Sequence, residues 1–235
     1  MGTLYIVPTP LGNLQDITLR AIEVLLSVPV IACEDTRRTG LLMDHLRKTY
    51  SQFNTRKEKP HLISYYEERE QNRIPEIGGF LLGGTDIALV SDAGMPTISD
   101  PGYRLVKLCR EQGIEVVALP GPSSVILALA TSGLPTDKFT FYGYLPEKEA
   151  HAKKLLGQMH ESNQLVSVTN IIFASVHKIM GNLSWMQEIL GDIEIVIASE
   201  LTKVHERVQK KKISEFLEEF VKNPPKGEFI ILWHE

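Results

Sequence analysis

Short runs of apolar, often β-branched residues recur along this chain and alternate with longer stretches whose apolar positions fall three and four apart. Residues 4–7, 28–32, 61–64, 87–90 and 116–119 carry the first pattern and predict strands. Residues 18–26, 36–46, 74–82, 103–112 and 123–131 carry the second and predict helices. Such alternation marks an α/β fold in which helices connect mainly parallel strands. Residues 49–60 interrupt it with polar and basic side chains and read as a surface loop. Residues 132–137, with Gly133 and Pro135, interrupt it again and are the best candidate for a domain boundary. Strands are then predicted at 139–142, 166–173, 193–199 and 229–233, and helices at 148–160, 176–190 and 214–221. The expected organisation is two α/β domains, 1–132 and 133–235, without repeats or low-complexity tracts.

Composition narrows the class. A chain of 235 residues with 43% hydrophobic content can bury an ordinary core. No stretch reaches the roughly 18 apolar residues of a membrane helix, and the start runs straight into a strand, so a cytoplasmic protein with no membrane contact is expected. Cys33 and Cys109 lie in apolar segments without CxxC spacing and read as buried thiols of a reducing compartment. A net charge of −4 argues against a protein that coats nucleic acid, so any RNA contact must be a local patch.

Chemistry concentrates where predicted strands end. The first strand runs into Pro8-Thr9-Pro10-Leu11-Gly12-Asn13, where a dinucleotide-binding fold would carry GxGxxG. Two prolines remove backbone donors, which excludes a pyrophosphate cradle and leaves a stiff loop suited to a less charged ligand, or simply a strand-to-helix turn. Glu34-Asp35-Thr36-Arg37-Arg38 stands at a helix start, where Asp35 or Thr36 suits a cap but Arg37 opposes the helix dipole and invites a carboxylate or phosphate partner. The segment from Ser91 to Gly102, SDAGMPTISDPG, follows an apolar strand at the end where open sheets bind ligands. Asp92 there suits ligand contact, and Asp100 either acts on a ligand or caps a helix starting at Pro101. Leu119-Pro120-Gly121-Pro122-Ser123-Ser124 repeats the design. In the second half, Glu200-Leu201-Thr202-Lys203 and Lys226-Gly227-Glu228 flank strands, and the basic run 210–212, with Lys203 and Arg207, reads as a solvated helix face. Seven histidines without ligand spacing, and no Ser-His-Asp order, predict neither a metal nor a covalent nucleophile.

Together these blocks resemble the tetrapyrrole-methylase-like class and, within it, the bacterial small-subunit (16S) ribosomal RNA cytidine 2′-O-methyltransferases. The matching stretches are LYIVPTPLGNLQDIT from Leu4, EDTRRT from Glu34, ALVSDAGMPTISDPGYRLV from Ala88, LPGPSS from Leu119, GLPTDKF from Gly133, ELTK from Glu200 and KGEF from Lys226. The resemblance implies two α/β domains with an S-adenosylmethionine cleft between them, a homodimer, and small-subunit ribosomal RNA or the 30S subunit as partner. It further implies that Pro8, Thr9, Pro10, Ser91, Asp92, Ala93, Ile98, Ser123 and Ser124 hold the donor, joined by Phe173, Ala198, Leu201 and Gly227. Asp100 becomes the first candidate for the base that receives the ribose proton, with Glu34 and Asp35 behind it and Arg37 for a substrate phosphate. This chain departs from the family where Phe-Tyr-Glu-Ser-Pro-His-Arg becomes Ile172-Phe173-Ala174-Ser175-Val176-His177-Lys178, losing a carboxylate. Two alternatives stay open: a corrin or porphyrin methyltransferase of the same fold, and a catalytically silent S-adenosylmethionine- or ribosome-binding protein.

Overall fold

The protein is described by a computed structural model covering residues 1–235. Its first compact unit, Met1–Ser123, contains β1 (Thr3–Ile6), α1 (Leu19–Ser27), β2 (Val30–Cys33), α2 (Thr36–Thr49), β3 (His61–Ser64), α3 (Glu67–Leu82), β4 (Ile87–Val90), α4 (Tyr103–Glu111) and β5 (Glu115–Ala118). The five strands form one parallel sheet in the order β3-β2-β4-β1-β5. β2 and β4 are buried along their whole length, which is why VIAC and IALV are continuously apolar rather than alternating. On one face Ile22 and Leu25 of α1 and Met43 and Leu46 of α2 pack on Ile31, Ala88 and Val90. On the other, Ile77 and Leu81 of α3 and Leu105 and Cys109 of α4 pack on Leu4, Ala32 and Leu89. The loops leaving β1 and β2 therefore turn towards one face and the loop leaving β4 towards the other, which opens a crevice at the carboxyl edge of the sheet. Both cysteines are buried and unpaired, as expected, and burial pushes each thiol up to about 11.

The second unit, Ser124–Glu235, contains α5 (Ser124–Thr131), β6 (Phe139–Tyr144), α6 (Glu149–Leu165), β7 (Thr169–Ser175), α7 (Ile179–Leu190), β8 (Glu194–Ser199), β9 (Arg207–Lys212), α8 (Ile213–Lys222) and β10 (Glu228–His234). Its sheet runs β6-β7-β10-β8-β9, parallel only between β6 and β7. Helices α6, α7 and α8 cover one face around Trp233 and Phe216, and α5 covers the other. The units divide after Ser123 rather than after residue 132, because Val125, Ala128 and Leu129 of α5 are buried with Ile171, Val196 and Ile230 of the second sheet. The basic run 210–212 lies on β9, an edge strand paired with β8, and not on a helix face. No helix is long and apolar enough to cross a membrane.

A second correction concerns the segment after β4. No helix starts at Pro101: α4 begins at Tyr103, with Gly102 at the cap position at φ 135°. The Gly102 amide is held by Glu70, only 8% exposed, whose Oε1 accepts the Gly102 N–H at 3.0 Å and the Tyr65 hydroxyl at 2.8 Å, while its other oxygen faces Arg104 Nε at 3.5 Å. Burial, and then the bond to Glu70, raise the Tyr65 phenol far above its ordinary range and keep it a donor. A Cβ on Gly102 would meet Leu89 Cδ2 at 2.6 Å and Thr97 Cγ2 at 2.8 Å, whereas Gly84, also at positive φ, has open space around it. Gly102→Ala is therefore expected to destabilise the protein by about 3 kcal/mol or more, against about 1 kcal/mol for Gly84→Ala. Urea unfolding of the two variants checks this; equal losses would show that side-chain packing at Gly102 is not the constraint.

Candidate active site

Because β1, β2, β4 and β5 are parallel neighbours, the loops that follow them meet at one sheet edge, and the segment after β4 lies at its centre. On one side Thr9 and Gly94 exchange both backbone hydrogen bonds at 2.9 Å, and the Thr9 hydroxyl donates to the Ser91 carbonyl at 3.0 Å. Pro8, Thr9 and Pro10 are all buried, so they form the wall behind the loop rather than open surface. Pro8 also explains Gly121: a Cβ there would meet the proline ring at 2.7 Å. Ser91 is buried, Asp92 and Ser123 are half-buried, and Ala93 and Ile98 are exposed.

On the other side the ends of β2 and β4 clasp each other through carboxylates. Glu34 Oε2 accepts the Asp92 N–H at 2.8 Å, and Asp92 Oδ1 accepts the Asp35 N–H at 3.2 Å. Asp92 Oδ2 pairs with Arg38 at 3.0 Å. Burial raises the Glu34 carboxyl above its ordinary range, with the nearby Asp92 charge adding to it and the bond from the Asp92 amide opposing it. Asp35 caps α2 through the Arg37 N–H at 2.8 Å, as expected, and also grips the Arg37 guanidinium by a two-pronged contact at 3.1 and 2.7 Å. That grip answers the question of an arginine at a helix N-terminus: its charge is neutralised locally. Hydrogen bonds from Arg37 also hold the Asp35 carboxyl well below the usual carboxylate range, which makes it a poorer proton acceptor than Glu34.

Between Gly94 and the Gly102 amide held by Glu70 the backbone is forced into unusual conformations. Thr97 and Ser99 have φ of 75° and 62°, and a β-branched residue in that region is an outlier that its surroundings must hold in place. The strained stretch leads into half-buried Asp100 and brings exposed Ile98 and Tyr103 to the surface beside it. Sequence reasoning passed over Glu70, which fixes the far end of this stretch, since it lies ahead of the helix expected from residue 74, whereas α3 begins at Glu67.

The second unit gathers its own candidates. β10 runs antiparallel to β7 and β8, so its start lies at their carboxyl ends, with Ile230 opposite both Phe173 and Ala198. Phe173 stacks edge-on against Phe141 at 4.8 Å, and Ala198 and Leu201 are buried in the same cluster. Glu200 and Thr202 both have positive φ, at 50° and 64°. The Glu200 carboxyl lies across Gly227, where a Cβ would meet it at 2.2 Å, and Lys203 holds it at 3.0 Å.

The family described as Tetrapyrrole (Corrin/Porphyrin) Methylases matches residues 3–217. A Vibrio cholerae protein named ribosomal RNA small subunit methyltransferase I is 45% identical over 98% of this chain and 76% of its own length. A Thermotoga maritima protein of the same name is 42% identical over 99% of this chain and 98% of its own length. Among solved structures, uroporphyrin-III C-methyltransferase from Thermus thermophilus, complexed with S-adenyl homocysteine, shares the fold at 17% identity, with a TM-score of 0.61 over 98% of this chain and 97% of that one. Matches of this extent at both levels establish that this chain belongs to the tetrapyrrole methylase family, in the branch of the ribosomal RNA small subunit methyltransferase I proteins.

Proposed function

We propose that this protein transfers the methyl group of S-adenosylmethionine to the 2′-oxygen of a cytidine ribose in small-subunit ribosomal RNA. The reading is supported by relatives above 40% identical that carry the ribosomal name, and by one structural observation: the hydrogen bonds of Asp92 with Glu34 and Asp35, which fix a group of carboxylates at the crevice of the first sheet. A sulfonium donor is a cation, so carboxylates held in place suit it, and exposed Ala93 and Ile98 offer apolar contact to its neutral parts. When bound, S-adenosylmethionine supplies an electrophilic methyl group.

The chain's own residues then have three tasks. Ser91, Asp92, Ala93, Ile98 and Ser123, backed by Pro8, Thr9 and Pro10, position the donor, as do Ser124, Phe173, Ala198, Leu201 and Gly227 of the second unit. Asp100 receives the proton of the ribose hydroxyl as the oxygen becomes nucleophilic, with Glu34 the next candidate because its proton affinity is raised. Arg37, with 88% of its side chain exposed and its Nε and Nη2 engaged by Asp35, offers its remaining Nη1 to a substrate phosphate. Holding oxygen, methyl and sulfur in line supplies much of the remaining acceleration. The reading carries a cytoplasmic location and a homodimer.

The deciding test is transfer of labelled methyl to small ribosomal subunits from a strain lacking this gene, followed by nucleoside analysis. The expected product is 2′-O-methylcytidine; donor binding without transfer to any RNA would overturn the reading in favour of a tetrapyrrole substrate or a silent binding role. Asp100→Asn should lower kcat by about 10²- to 10⁴-fold with donor affinity nearly unchanged. Full turnover by a folded Asp100→Asn protein would remove Asp100 from the chemistry. Arg37→Gln should chiefly raise KM for the RNA, and an unchanged KM with lowered donor affinity would reassign Arg37 to the donor.

A further inference from the structure

The charge of this chain is not spread evenly. Residues 36–60 hold seven Lys and Arg against two acidic residues, while the rest of the chain holds eighteen against twenty-seven. This basic segment comprises α2 and the loop after it, and the chemistry proposed above uses only its first residues. Buried Thr39, Met43 and Leu46 fix which face of α2 meets the sheet, leaving Arg37, Arg38, Leu41, Asp44 and Lys48 outward. From Arg37 to Lys48 that outward face extends for about 16 Å. It begins at the carboxylate clasp and ends at a loop where Arg56 and Lys57 add further charge. Of the acidic residues in the segment, Asp44 is paired by Lys59 at 2.6 Å. Arg47 donates to the Glu58 carbonyl and so ties the loop to the helix end. Lys48, Arg56 and Lys57 form no ion pair with a carboxylate. Leu41, 74% exposed among these cations, offers an apolar contact that a bare anion-binding surface would not need.

We propose that the outward face of α2 and the 50–59 loop form a docking track for an RNA strand that continues from the methylated nucleotide, with Lys48, Arg56 and Lys57 meeting successive phosphates and Leu41 a sugar or base. The inference rests on the ribosomal RNA reading and adds to it the surface that grips the substrate. An acidic chain gains affinity for a polyanion only through such a segregated strip, where each phosphate contact releases counterions.

The test is a Lys48→Gln/Arg56→Gln/Lys57→Gln variant, with folding verified by circular dichroism and donor affinity by calorimetry. Two probes are used: unmethylated small ribosomal subunits, and protein-free RNA transcribed from the small-subunit sequence. The track requires KM for subunits to rise about tenfold or more, with donor affinity unchanged. It also requires the slope of log affinity for free RNA against log salt to become shallower by about 2. Unchanged KM and salt slope, while the wild type still methylates, would overturn the track and leave the function standing. Weakened binding to subunits but not to free RNA would overturn it in favour of a protein contact. Absence of both methylation and RNA binding in the wild type would overturn the function and the track together.

Discussion

The segment between β4 and α4 is held from three directions, and the order of the site depends on all of them. Thr9 fixes its start through a backbone exchange with Gly94, Glu34 and Asp92 tie it to the end of β2, and Glu70 fixes its end through the Gly102 N–H. Each attachment uses a backbone amide of the segment or its neighbour, so the path is specified by main-chain geometry more than by packing. This is what holds Thr97 and Ser99 at positive φ, a conformation that costs about 1–3 kcal/mol per residue when nothing compensates. The strain lies within a few residues of Asp100, where a fixed carboxylate is most useful.

Gathering carboxylates at one crevice carries an electrostatic cost, and the structure offsets it unequally. Asp35 and Asp92 each have an arginine, Arg37 and Arg38, both supplied by the first turn of α2. Glu34 has an amide instead, and its burial leaves it with a raised proton affinity. Two neighbouring carboxylates are thereby driven apart in acidity by their surroundings, Asp35 down and Glu34 up. The arginines at the helix start thus serve the site twice: they neutralise its acids and begin the basic face of α2.

What the sequence made legible follows from which forces were local. The central strands β2 and β4 could be read from their apolar runs, because burial on both faces leaves no other composition than VIAC and IALV, whereas β1, β3 and β5 are only partly buried and showed themselves by shorter runs. The loops at the carboxyl edge followed from parallel pairing alone. β9 could not be read in this way: RVQKKK carries the lysines that protect an edge strand from further pairing, and it is a strand only because β8 pairs with it. Helix α3 was expected from residue 74, since Pro75 mimics a helix start, yet it begins at Glu67. Its early turns carry Glu70, whose partners Tyr65, Gly102 and Arg104 come together only in the folded chain. The allegiance of α5 was hidden for the same reason, since an apolar helix does not announce which sheet it will cover.

The family's lost carboxylate can be judged on the same physical grounds. Successive residues of a strand face opposite sides of the sheet, so Phe173 and Ala174 on β7 belong to different environments. Phe173 lies on the face with Ala198 and Leu201, whereas Ala174 is 1% exposed in the cluster around Trp233 and Phe216, under α6, α7 and α8. Val176 packs against that cluster too, and Lys178 lies 3.7 Å from Glu147. A carboxylate at position 174 would need a buried partner, and alanine needs none. The changes at 174 and 176 therefore lie on the face covered by α6, α7 and α8, opposite the face that carries Phe173 and Ala198, proposed to hold the donor, which favours an active transferase over a silent binding protein.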